Sequence, residues 1–125
     1  MKRLCLQLLS LLMLASGARA GWIEMGRTDE GTFYIDPATI RQAGSNLEVW
    51  ELTDLKERDE GSELSRRSRV AYDCEQGLTR VLSLETYLDP MATGRAIVSV
   101  EREGLWKEVP AGTAYETGFK TVCAQ

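Results

Sequence analysis

Histidine is absent from this chain of 125 residues. Its absence excludes Ser–His and Cys–His nucleophile pairs and histidine-ligated metals. Cysteine is scarce, with three residues, Cys5, Cys74 and Cys123. Two cysteines without histidine make a poor zinc site, and the spacing of the last two is far from a C-x-x-C redox motif. Basic side chains number 15 against 19 acidic ones, a formal net charge of −4, which disfavours nonspecific binding to nucleic acid or to an anionic membrane. Beyond the N-terminal apolar run there is no second long one, so no transmembrane helix is expected. Internal repeats and low-complexity tracts are also missing.

The N-terminus reads as an export signal. Lys2 and Arg3 give a positive start, residues 4–15 are mostly apolar, and Ala18-Arg19-Ala20 supplies a small-x-small cleavage pattern. The expected cut follows Ala20, so residues 1–20 are a cleavable signal peptide and residues 21–125 a single domain with a modest core. A lipid anchor requires cysteine at the first mature position; Gly21 stands there, and no membrane anchor is expected. Lys2, Arg3 and Arg19 leave with the signal, so 12 basic residues face 19 acidic ones, a net charge of −7. The expected address is the periplasm or the medium.

The mature segment reads as strands followed by one helix. Strands are expected over residues 22–27, 32–35, 47–53, 64–74, 78–88 and 95–101, punctuated by Asp29-Glu30-Gly31, Gly44-Ser45-Asn46, Gln76-Gly77 and Asp89-Pro90. Asp36 is placed to cap a short helix beginning at Pro37 and running through Arg41. Residues 54–63 are densely charged and read as a solvated connection. Period-two alternation puts Ser68, Val70, Tyr72 and Cys74 on one face, with Arg67, Arg69 and Asp73 on the other. The same period sets Leu82, Leu84 and Leu88 on one face and turns Val98 and Val100 inward. At the C-terminus the period changes: Thr113 and Glu116 fit a capping box, and Tyr115, Phe119, Val122 and Cys123 fall on one helix face.

These periods give the cysteines a geometry. Cys5 departs with the signal, leaving Cys74 at the end of a central strand and Cys123 on the apolar stripe of the last helix. In an oxidising compartment the two most simply form one disulfide, which pins the helix to the sheet. Closing that loop stabilises the fold by about 4 kcal/mol in the chain-entropy model. No catalytic, metal or cofactor site is expected. The carboxylate pairs Asp59–Glu60 and Glu101–Glu103 read as surface charge, and residues 54–63 do not fit an EF-hand loop. Arg66, Arg67 and Arg69 form one basic cluster, read either as an exposed strand face paired with the neighbouring acidic loop or as a dock for an acidic partner or carboxylate ligand. Trp22, Trp50 and Trp106 read by default as meeting in one core, and otherwise as lining a concave binding surface.

The order of several marks resembles the surface-adhesin protein E family of exported proteobacterial proteins. They are Trp22, Phe33-Tyr34-Ile35-Asp36-Pro37, Val49-Trp50, Asp73-Cys74, Trp106 before Val109-Pro110, and Val122-Cys123. The resemblance implies an antiparallel sheet with a C-terminal helix held on it by a disulfide, and an adhesin-like role in binding host extracellular-matrix proteins. The residues and the resemblance together give an α+β domain, a curved antiparallel sheet of about six strands with one C-terminal helix tethered through Cys74–Cys123. The expected function is a non-enzymatic exported binding protein with an extracellular-matrix or envelope protein as partner; a homodimer is compatible with this. The alternative is a structural or accessory periplasmic protein in an envelope assembly.

Overall fold

The structure, a computed structural model, describes residues 21–125; the expected signal peptide lies outside the described residues. Seven strands and one helix form the domain: β1 (Ile23–Arg27), β2 (Gly31–Ala43), β3 (Asn46–Leu55), β4 (Ser65–Asp73), β5 (Leu78–Asp89), β6 (Thr93–Glu101), β7 (Lys107–Glu108) and α1 (Ala114–Cys123). The first six strands make an antiparallel meander in chain order, and the two-residue β7 pairs with the start of β5. The sheet is open, with β1 and β6 at its two edges. Extra residues interrupt the ladders in β1, in β2, at Leu82 of β5 and twice along β6, and each locally bends its strand.

The short helix expected at residues 37–41 is absent, and β2 runs through it. Asp36 pairs with Trp50 and Arg41 with Glu48, so residues 37–40 are extra residues bulged out of the ladder. Pro37 is tolerated because the bulge asks no N–H of it. Asp36 does act as a cap, but for this bulge: its Oδ1 accepts from the Ala38 N–H at 3.1 Å and its carbonyl from the Thr39 hydroxyl at 2.7 Å. Thr39 Oγ1 then accepts from the Trp50 N–H at 3.0 Å, returning the bulge to β3.

One face of the sheet carries the helix. Phe33 and Ile35 from β2, Val49 from β3, and Val70 and Tyr72 from β4 pack against Ala114 and Val122 of α1. The buried line of the helix is Ala114–Gly118–Val122, not the wider stripe headed by Tyr115 that the sequence suggests. The reason is proximity. A Cβ on Gly118 would lie 2.7 Å from Ile35 Cδ1 and 3.0 Å from Phe33 Cε1, so the helix sits closer to the sheet than a larger residue allows. Tyr115 and Phe119 flank the contact instead, their rings 4.8 Å from Phe33 and 5.7 Å from Tyr72. Thr113 caps α1 by accepting from the Glu116 N–H, while the Glu116 carboxylate turns to Lys120 at 3.4 Å.

Cys74 and Cys123 are joined by a disulfide, with Cα atoms 5.7 Å apart. Cys74 lies one residue past the end of β4, in the turn before β5, so the bond fastens the last turn of α1 to the end of a central strand.

On the opposite face, Leu52 of β3 is buried beneath the turn Pro90–Ala92 between β5 and β6. Met91 and Ala92 adopt left-handed backbone there, with φ of 59° and 55°. Two side chains hold the turn in place: Asp54 Oδ1 accepts from the Met91 N–H at 2.9 Å, and Ser65 Oγ accepts from the Ala92 N–H at 2.8 Å.

Candidate functional site

Strand alternation divides the basic cluster. Arg66 points to the helix-bearing face and Arg67 and Arg69 to the other, so the three do not form one patch. Their acids come from neighbouring strands and from the β1–β2 turn, and not from residues 54–63. Arg66 pairs with Glu30, Arg67 with Glu85 at 2.6 Å, and Arg69 with Glu48 at 3.4 Å and Glu101 at 3.9 Å. Arg41 shares Glu48 at 2.6 Å, and Arg80 meets Glu103 at 3.4 Å. Burial alone would raise the Glu85 carboxyl pKa; hydrogen bonds from Tyr87 and Arg67 and the Arg67 charge outweigh it and hold the group below its ordinary value.

The tryptophans do not meet in one core. Trp50 lies under the Arg67 guanidinium, 4.6 Å from the ring centroid, and Trp106 lies under Arg80 at 4.7 Å. Trp22, Trp50 and Trp106 each keep partial exposure. On the face opposite the helix, Arg67 and Arg80 thus each stack on an indole ring and pair with a glutamate. Of the carboxylate pairs, Asp59 and Glu60 lie in an exposed loop, while Glu101 and Glu103 pair separately with Arg69 and Arg80. Among the described residues, no three histidine, cysteine, aspartate or glutamate side chains cluster as a metal site.

The helix-bearing face is only half covered. α1 packs on β1 to β4, chiefly on β1 and β2. Beyond it, Val98 and Val100 of β6 stand opposite the buried Thr86 and the half-buried Leu84 of β5, and among the described residues α1 does not reach them. The inward packing expected for these valines is therefore not realised: they are 41% and 43% exposed, and Val81 is 41% exposed.

Between this bare half and the helix runs a groove of about 490 Å³. Its floor is Glu51, Val70 and Tyr72; Val81 leads out to the bare strands; Val109, Pro110 and Tyr115 form the wall where the chain crosses from β7 to α1. Arg66, paired with Glu30, closes one end. Glu51 is half-buried and lines the groove. Burial pushes its pKa up to about 7, although the hydrogen bond from the Tyr72 hydroxyl pulls the other way. Burial and the adjoining carboxylate raise the pKa of Tyr72 in turn. Glu51 did not stand out in the sequence. Its signal was the break in the apolar alternation Leu47–Val49–Glu51.

The profile of surface-adhesin protein E matches residues 22–124, almost the whole described chain. The chain belongs to the surface-adhesin protein E family. Solved structures of Haemophilus influenzae protein E share this fold. One crystal form superposes with a TM-score of 0.66 at 14% identity, over 85% of this chain and 89% of the other. Protein E from non-typeable Haemophilus influenzae gives 0.64 at 13% identity, over 87% and 79%. No curated protein matches the chain. At these identities the likeness to the solved protein E structures is one of fold: the open antiparallel sheet and its disulfide-tethered C-terminal helix.

Proposed function

We propose that the protein is an exported, non-enzymatic, adhesin-like binding protein that docks a protein partner on the half of the sheet left bare by the helix. The partner is an extracellular-matrix protein or an envelope component. The observation that carries this reading is the partial exposure of Val81 on β5 and of Val98 and Val100 on β6, all on the helix-bearing face, with Val81 also lining the groove. Apolar side chains exposed together on one face mark interaction surfaces. Membership of a surface-adhesin family supports the role, and the Cys74–Cys123 disulfide fits an oxidising compartment reached by cleavage after Ala20. Of the arginine cluster, Arg66 borders this site, and Arg67 and Arg69 serve the ion pairs of the opposite face.

Binding of the purified protein to immobilised matrix proteins and envelope fractions tests this. Saturable binding is expected to at least one of them. Val98→Glu combined with Val100→Glu should weaken it by about tenfold or more, with a smaller loss of stability than a core substitution brings, because both side chains are partly exposed on an edge strand. Absence of saturable binding, or binding unaffected by the double substitution, overturns the reading.

A further inference from the structure

We propose that the groove between α1 and β7 is a pocket for a lysine or arginine side chain presented by the protein partner, with Glu51 as its counter-charge. The pocket deepens the docking reading above, on which it rests for the source of that side chain.

Glu51 is out of keeping with its surroundings. On the helix-bearing face it pairs with Ile35 of β2 and Ser68 of β4, with buried Phe33, Val49 and Val70 around it and Thr53 two residues along its own strand. A carboxylate in such a place is costly unless a cation or several donors answer it. Several acids of the domain have such an answer: Glu30, Glu48, Glu85 and Glu103 each meet an arginine, and the buried Asp36 accepts from the Gly21 and Ala38 N–H groups. Glu51 accepts a hydrogen bond from the Tyr72 hydroxyl and, among the described residues, forms no ion pair. Arg66, the nearest strand cation on this face, is committed to Glu30.

The space in front of Glu51 suits a basic side chain. Val70, Val81, Val109 and Pro110 offer apolar surface along which a methylene stem can lie, and the carboxyl waits at the floor. The charged groups facing the groove are Glu51 of β3, Arg66 of β4, Lys107 and Glu108 of β7, and Glu30 of the β1–β2 turn; the titratable hydroxyls are Tyr72 of β4 and Tyr115 of α1. With Arg66 and Glu30 cancelling each other, the remaining acids outnumber Lys107. The whole chain is acidic as well, with a formal net charge of −4, which favours a basic partner at long range. Val81 lines the pocket and shares its face with Leu84, which stands opposite Val100, so a partner lying on β5 and β6 reaches the groove without crossing the helix.

The probe is N-acetyl-lysine methylamide, compared with its norleucine counterpart, each titrated into the purified protein and followed by NMR. The lysine probe should move the signals of Glu51, Tyr72 and Val81 and bind about tenfold more tightly than the norleucine probe. It should lose that advantage as the pH falls and Glu51 takes up its proton. Saturation should lower the titration midpoint of the Glu51 carboxyl. Glu51→Gln, which keeps an acceptor for Tyr72, should erase the preference for lysine, whereas Tyr72→Phe should leave it. Equal binding of the two probes, no shift at Glu51, or a preference that survives Glu51→Gln overturns the pocket. None of these results touches the effect of the Val98 and Val100 substitutions, so failure of the pocket and failure of the docking face are read separately.

Discussion

Glu51 has a consequence for stability that is independent of any ligand. Its folded-state pKa of about 7 lies above the ordinary 4.5 of the unfolded chain. Between those values the folded protein holds a proton that the unfolded chain has released, so stability falls as pH rises through this window and is highest below it. The difference amounts to at most about 3 kcal/mol, from the size of the shift and the free energy of one pKa unit. Glu51→Gln removes the titrating group and keeps the acceptor for Tyr72. The variant should therefore unfold at nearly the same denaturant midpoint at pH 5 and pH 8, and should exceed the parent at pH 8. Chemical denaturation across that range decides it; a parent whose stability is flat from pH 5 to 8 rules the explanation out. The residue shows where reading the sequence stopped short. One polar residue in a run of alternating apolar ones has no meaning until the neighbouring strands close around it.

At the scale of elements, most of the sheet was legible. Alternation is clear toward the C-terminal end of residues 64–74, and β4 and β5 lie within one or two residues of the expected bounds. In β5 the bulge at Leu82 breaks the period, so Leu82 turns to the face opposite the helix and does not share the face of Leu84 as expected. Two further expectations failed for reasons that period alone cannot carry. The helix expected after Asp36 became a bulge because β3 supplies a ladder partner on either side of it, and tertiary pairing overrides a capping motif. Val98 and Val100 were expected inside because alternation says which residues share a face, but not whether anything covers that face. The helix position is decided by a residue that carries no periodic signal, Gly118. Gly118→Ala gains up to about 1 kcal/mol of helix propensity, but the new methyl meets Ile35 and Phe33 at 2.7 and 3.0 Å. Overpacking of this kind costs about 1–3 kcal/mol, so the substitution should lower stability on balance. Thermal unfolding measures it, and an unchanged or raised melting temperature would show that α1 has room to lift away from the sheet.

Across the whole molecule, the meander needs only short connections between neighbours, but α1 returns from beyond β7 to cover β1 and β2 at the opposite side of the sheet. That return is the long-range closure of the fold, and two things hold it: the burial of Ala114 and Val122 and the Cys74–Cys123 bond. The bond ties residues 49 apart in sequence, and in the chain-entropy model its loss costs about 4 kcal/mol. Because α1 supplies one side of the core, freeing its C-terminal turn should also expose Val122, Tyr72 and Phe119, which pack around that end. Cys74→Ser combined with Cys123→Ser should thus lower the melting temperature by about 15 °C or more, given the usual 4–8 °C per kcal/mol for a domain of this size. Amide exchange should rise first in the last turn of α1, while the ladders between β3, β4 and β5 stay protected longest. A drop of only a few degrees, with α1 exchange unchanged, would mean that the close packing at Gly118 holds the helix by itself and that the disulfide guards against detachment only after the core has already opened.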